Sequence, residues 1–174
     1  TKNGIIEDFI SPIIYYLHDK LDRSNAIIYL LEKYKKRTEW FNAKSLLINY
    51  NDATSNYEQL FEDDLRLFLF DQGVEYPFST PLSNSGRADI IGNIETDDPL
   101  VCEIKIFDRN KSYGKNRVKE GFTQAVKYSN DYNKDVGYIV IFNTENIELN
   151  LNFDNKENIF PPEIKFNNKI FYFI

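Results

Sequence analysis

The chain has 174 residues, too few for two full domains and enough for one with a real core, or for a small domain with a helical appendage. Its 42% hydrophobic content, with 14 Phe and 12 Tyr, excludes a disordered chain, and its one cysteine, Cys102, excludes an internal disulfide or a multi-cysteine zinc site. A net charge of −6 argues against a uniformly basic surface for polyanions, and no apolar run reaches the ~20 residues of a membrane-spanning helix.

In chain order, residues 4–50 read as helical, with apolar side chains recurring every three or four positions and Ser24 or Asn25 placed to cap the second helix. The polar break 49–56 leads into a helix that Thr54 or Ser55 can cap and Gly73 ends. Residue 54 is therefore taken as the start of a core domain, 54–174, preceded by a helical extension, 1–53. Beyond Gly73 the pattern changes to short strands at 74–80, 86–94 and 100–107, the first bent or at an edge because of Pro77. The turn residues of "ETDDP" make the last two an antiparallel hairpin. A helix follows over 113–132 with Val118, Phe122, Ala125 and Val126 on its apolar side, and 136–143 is a strand of the kind buried on both faces. Residues 147–153 alternate like a strand, and 163–174 read as a hairpin turning at Asn167 and Asn168. Together these elements predict a mixed α/β, or α+β, fold. The lack of methionine suggests a chain processed or cut from a longer protein, with fused domains or partner subunits missing. With no signal-peptide pattern, the expected location is the cytoplasm.

The charges are unevenly spread. Residues 58–102 carry ten acids against two bases, whereas 103–127 carry seven bases against three acids. Such a pairing suits a site where carboxylates hold a divalent cation and nearby bases hold phosphates. Within 100–107, strand alternation puts Glu103 and Lys105 on one face and Cys102, Ile104 and Ile106 on the other. Pairing across the hairpin brings Asp89 beside Glu103. Two carboxylates so close repel, a conflict that a divalent cation relieves, and oxygen donors of this type suit magnesium or manganese better than zinc. Lys105 can then assist the water or stabilise the phosphoryl charge.

Asp89, thirteen intervening residues, Glu103-x-Lys105, and then a helix with Gln124 and Tyr128 before a buried strand resemble the PD-(D/E)xK nuclease superfamily, particularly its RecB-like branch with a Q-x-x-x-Y helix motif. The resemblance spans roughly residues 54–143; Ala88 stands where the family name has proline. It implies a restriction-endonuclease-like core in the order αβββαβ, a mixed central sheet flanked by helices, and phosphodiester hydrolysis with Mg2+, for which Mn2+ substitutes. Asp89 and Glu103 match the metal-binding acids and Lys105 the catalytic lysine; the Ile104 carbonyl is a further candidate ligand. Members of the branch often add a helix glutamate. Glu58, at the margin of the buried stripe formed by Tyr57, Phe61, Leu65 and Phe68, is preferred over Glu62, with Asp64 a third candidate or a polar packing contact.

Arg117, Gly121, Gln124 and Tyr128 form one stripe along the second core helix, expected to face the site. Arg117, Lys115 and Lys119 are the candidate phosphate-binding residues, with Arg87 either a phosphate contact or a salt-bridge partner. His18 is the sole histidine, so histidine-based nuclease chemistry is disfavoured, and there is no P-loop. The expected activity is a DNA-cleaving nuclease, with DNA preferred over RNA and a role in restriction, repair or defence implied by the resemblance. The rivals are a non-catalytic nucleic-acid- or protein-binding module on the same scaffold, and a regulated RNase. The N-terminal helices could also serve a homodimer.

Overall fold

The computed structural model describes residues 26–74, 83–96, 98–151 and 160–174. Helix α1 (Ala26–Arg37) runs through a π-helical turn, Thr38–Asn42, into α2 (Ala43–Asp52), with Arg37 and Ala43 both right-handed helical at the junctions. Helix α1 buries Ile27, Leu31 and Tyr34, and α2 buries Leu46 and Tyr50. The expected caps, Ser24 and Asn25, lie outside the described residues. Instead, Asp98 from the turn of a distant hairpin accepts a hydrogen bond from the Ile27 backbone N–H at 2.9 Å.

Helix α3 (Tyr57–Asp71) starts two residues later than a Thr54 cap would set it and one later than a Ser55 cap. Its N-cap is Asn56, left-handed at φ 55°, with no side-chain cap bond; Asn tolerates that conformation better than Thr or a branched residue. Gly73 ends the helix as expected, at φ 81°, while the Val74 N–H donates back to Leu69 at 3.0 Å. Phe61, Leu65, Phe68 and Leu69 supply its buried face.

A five-stranded mixed sheet has the order β1-β2-β3-β5-β4. The predicted hairpin is present: β1 (Ile90–Gly92) pairs antiparallel with β2 (Leu100–Phe107), Ile90 opposite Cys102. Helix α4 (Lys115–Asp131) provides the crossover to β3 (Val136–Asn143), parallel to β2. Strand β5 (Lys169–Phe173) runs parallel to β3 and is joined to antiparallel β4 (Glu163–Phe166) by a tight turn in which Asn167 and Asn168 have φ of 50° and 62°. Two successive positive φ values are what a two-residue hairpin needs and what Asn accepts.

Of the strand expected over 74–80, only Val74 is described, and it is buried. The strand expected over 147–153 is not present through residue 151, and 152–153 lie outside the described residues. The chain turns there because Asn143 donates through Nδ2 to the Ile147 carbonyl at 2.6 Å and accepts through Oδ1 from the Glu145 N–H at 3.0 Å. The sheet separates two layers. Cys102, Ile104, Ile106, Tyr138 and Val140 pack with α1, α2 and α3 in one core, while Ile139, Phe171 and Phe173 meet Val118 and Ala125 of α4 on the other side.

Candidate active site

Every residue of β2 is buried. Alternation sends Cys102, Ile104 and Ile106 into the larger core and leaves Glu103 and Lys105, 1% and 2% exposed, on the α4 side. The Lys105 ammonium donates to Glu103 Oε2 at 3.0 Å and to the Ile104 carbonyl at 2.8 Å, and lies 3.7 Å from Asp89 Oδ2. Asp89 immediately precedes β1. Its Oδ2 accepts from the Ile104 N–H at 2.7 Å, satisfying a β2 donor just beyond the residues that β1 pairs. The three side chains read from the sequence therefore meet, and Asp89, with its side chain 26% exposed, forms the open edge of the group.

The electrostatics follow from the burial. Desolvation and then the Asp89 charge push the Glu103 carboxyl far above the usual carboxylate range. Desolvation also raises Asp89, opposed by Lys105 and by the Ile104 N–H. Burial pulls the Lys105 ammonium down, but the charges of Asp89, Glu103 and Glu58 outweigh it and hold the group above an ordinary lysine. Glu103 Oε1 is buried without a hydrogen-bond partner. One carboxylate oxygen thus remains open to a donor or a cation.

The stripe on α4 faces this group. A Cβ at Gly121 would stand 2.6 Å from Lys105 Cγ, so the missing side chain is what lets the lysine lie beneath the helix. Gln124 Oε1 is a second buried acceptor without a partner. The Tyr128 hydroxyl lies 3.2 Å from where a Gly86 Cβ would be, and burial, then Glu103 and Asp89, push its pKa up. At the near end Arg117 makes a forked pair with Glu58, at 2.8 and 3.1 Å, and reaches Glu120 at 3.2 Å.

Both glutamate candidates on α3 are near the group. Glu58 acts on Asp89 and Lys105 through its charge, while Glu62 is raised by burial first and, against the opposing Arg66, by the Asp89 charge. Glu62 accepts from Arg66 at 2.8 Å, and the same guanidinium donates to the Asp89 carbonyl. Arg66 escaped the sequence reading; the four-residue spacing from Glu62 was the visible signal, but its reach to Asp89 depends on the fold. Asp64 instead accepts from Tyr34 at 2.8 Å and Arg37 at 3.0 Å, tying α3 to α1 away from the site.

The other basic candidates are more dispersed. Lys115 donates to the Asn150 carbonyl at 3.1 Å, and Lys119 and Arg87 are exposed. A cavity of about 570 Å³ opens beside Arg117, lined also by Tyr113, Lys115, Asn116 and Glu120. Another, of about 580 Å³, is lined by Leu46, Phe61 and Phe142 and includes none of Asp89, Glu103 and Lys105. His18 lies outside the described residues.

Among the described residues, no three His, Cys, Asp or Glu side chains group to hold a metal ion. Magnesium asks for less: one or two carboxylates, with water and substrate phosphate completing the shell. Asp89 and Glu103, with an unpartnered buried Glu103 oxygen, fit that requirement. No protein-family model, curated protein or solved structure matches the chain, whose chemistry therefore rests on the site's own geometry.

Proposed function

We propose that the chain is a magnesium-dependent nuclease with a restriction-endonuclease-like core, hydrolysing phosphodiester bonds in DNA, in restriction, repair or defence. The carrying observation is that Glu103 and Asp89 carboxylate oxygens lie 3.0 and 3.7 Å from the Lys105 nitrogen, Glu103 and Lys105 buried and Asp89 at their open edge. Asp89 and Glu103 would hold the magnesium, with Glu58 closest in role to a third acid; bound magnesium supplies Lewis-acid stabilisation of phosphoryl charge. An ammonium has three donors. Two of Lys105's are directed at Glu103 and Ile104, leaving the third to hold the attacking water or a phosphoryl oxygen. Arg117, beside the cavity, places a phosphate once its guanidinium exchanges Glu58 for that anion, and Lys119 and Arg87 add affinity without base specificity.

The test is cleavage of supercoiled and linear DNA with Mg2+ or Mn2+, comparing the native chain with Lys105→Ala and Glu103→Gln, each checked for native circular dichroism. Metal-dependent cutting that drops at least about 100-fold in both folded variants is expected. A native chain that cuts neither DNA nor RNA with either metal removes the proposal. The near-complete burial of Glu103 and Lys105 and the engagement of Arg117 by two carboxylates favour a second reading, a non-catalytic nucleic-acid-binding module. Binding without cleavage selects it.

A further inference from the structure

A second chemistry-bearing surface lies in the helical layer before α3. Its buried stripe begins Ile27, Leu31, Tyr34, and regular helical spacing would continue it through Phe41, Ser45 and Ile48. The π turn at 38–42 inserts one residue and rotates the following helix, so that Leu46 and Tyr50 are buried instead. Phe41 and Ile48 are thereby turned outward, 77% and 50% exposed, next to Trp40 at 73%. The Trp40 and Phe41 rings stand edge to face with centroids 6.4 Å apart.

Lys36 and Lys44 lie about one helical turn to either side of Trp40. Both are exposed, and neither has a carboxylate partner among the described residues. The intervening acid, Glu39, is paired with Lys35. Two uncompensated ammonium groups thus flank two solvent-facing rings in a chain of net charge −6. Exposed aromatic faces bind nucleobases that are themselves unstacked, and adjacent ammonium groups bind the phosphates joining them.

We infer that this surface binds single-stranded nucleic acid, bases stacking on Trp40 and Phe41 and phosphates meeting Lys36 and Lys44. The ligand class rests on the nucleic-acid reading above. A surface of this kind would hold an unpaired strand on the helical layer, apart from the Asp89, Glu103 and Lys105 group.

Trp40 is the chain's single tryptophan, so its emission reports binding directly. The experiment titrates the full chain, in EDTA to prevent cutting, with an oligothymidylate of about a dozen nucleotides. Saturable quenching is expected. With Lys36→Glu and Lys44→Glu together, binding weakens at least about ten-fold, and the slope of log affinity against log salt falls by about 1.4, from two lost phosphate contacts. Trp40→Ala with Phe41→Ala, followed by anisotropy of a labelled oligonucleotide, weakens binding about ten-fold or more while circular dichroism stays native. Equal quenching by a duplex of the same length overturns the inference, as does equal quenching by polyglutamate. So does a response to phosphatidylglycerol vesicles with none to the oligonucleotide, or an emission change on dilution alone, which marks a second copy of the chain. Quenching by a chain that cuts nothing supports this surface while removing the nuclease reading; cutting without quenching does the reverse.

Discussion

Lys105 and Ile106 are neighbours on β2, 2% and 0% exposed, and they meet opposite environments. Ile106 packs with the layer of α1, α2 and α3, where removing apolar surface from water contributes about 25 cal/mol per Å². Lys105 lies beneath α4 among carboxylates, where desolvation cancels most of what pairing returns. Equal burial therefore does not mean equal contribution: the apolar face holds the fold, and the charged face adds little net stability to it.

Four substitutions would break or sharpen that contrast, and a fifth bounds it. Lys105→Ala strands the buried Glu103 carboxylate and the half-buried Asp89 and should cost about 3–5 kcal/mol in urea unfolding without metal. Added Mg2+ should then raise the melting temperature more in this variant than in the native chain; no difference would sever the carboxylates from the metal. Ile106→Ala should cost about 2–5 kcal/mol through a cavity, yet leave the calorimetric Mg2+ affinity unaltered.

Gly121→Ala comes next. Alanine improves helix propensity by up to about 1 kcal/mol, but its methyl meets the Lys105 stem at 2.6 Å, so overpacking of about 1–3 kcal/mol should win. A stabilised variant would show that the lysine moves freely under α4. Arg117→Ala breaks a part-exposed pair with Glu58 and should cost no more than about 1 kcal/mol, while weakening DNA binding in a salt-dependent manner.

The smallest effect belongs to Asp131, which accepts from the Ser83 hydroxyl at 2.7 Å and the Ser85 N–H at 2.8 Å and is held below its ordinary pKa of 3.8 by those bonds. A depressed folded pKa contributes stability that is present above 3.8 and lost as pH falls through the folded value. The difference between native chain and Asp131→Asn should therefore be detectable at pH 7 and shrink toward pH 3 in parallel urea titrations.

Local chemistry wrote much of this molecule directly into the chain. The alternation of "LVCEIKIF", the turn before it, the Asn167–Asn168 hairpin and the Gly73 stop are decided by neighbours within a few residues, and each has the expected form. The same periodicity put Glu103 and Lys105 on one face and Arg117, Gly121, Gln124 and Tyr128 on one stripe. What it could not decide was distance between elements. That Asp89 closes on the Ile104 N–H, that Arg66 reaches the Asp89 carbonyl, that Asp64 turns to Tyr34 and Arg37, and that Asp98 caps a helix 71 residues away all depend on how helices settle on the sheet. Phe41 and Ile48 make the point most sharply: regular spacing would bury them, and only the π turn, with Leu46 and Tyr50 taking the interior, leaves them in water. Side-chain periodicity is a property of a few consecutive residues, whereas the phase of a helix against its neighbours is settled by packing of the whole core.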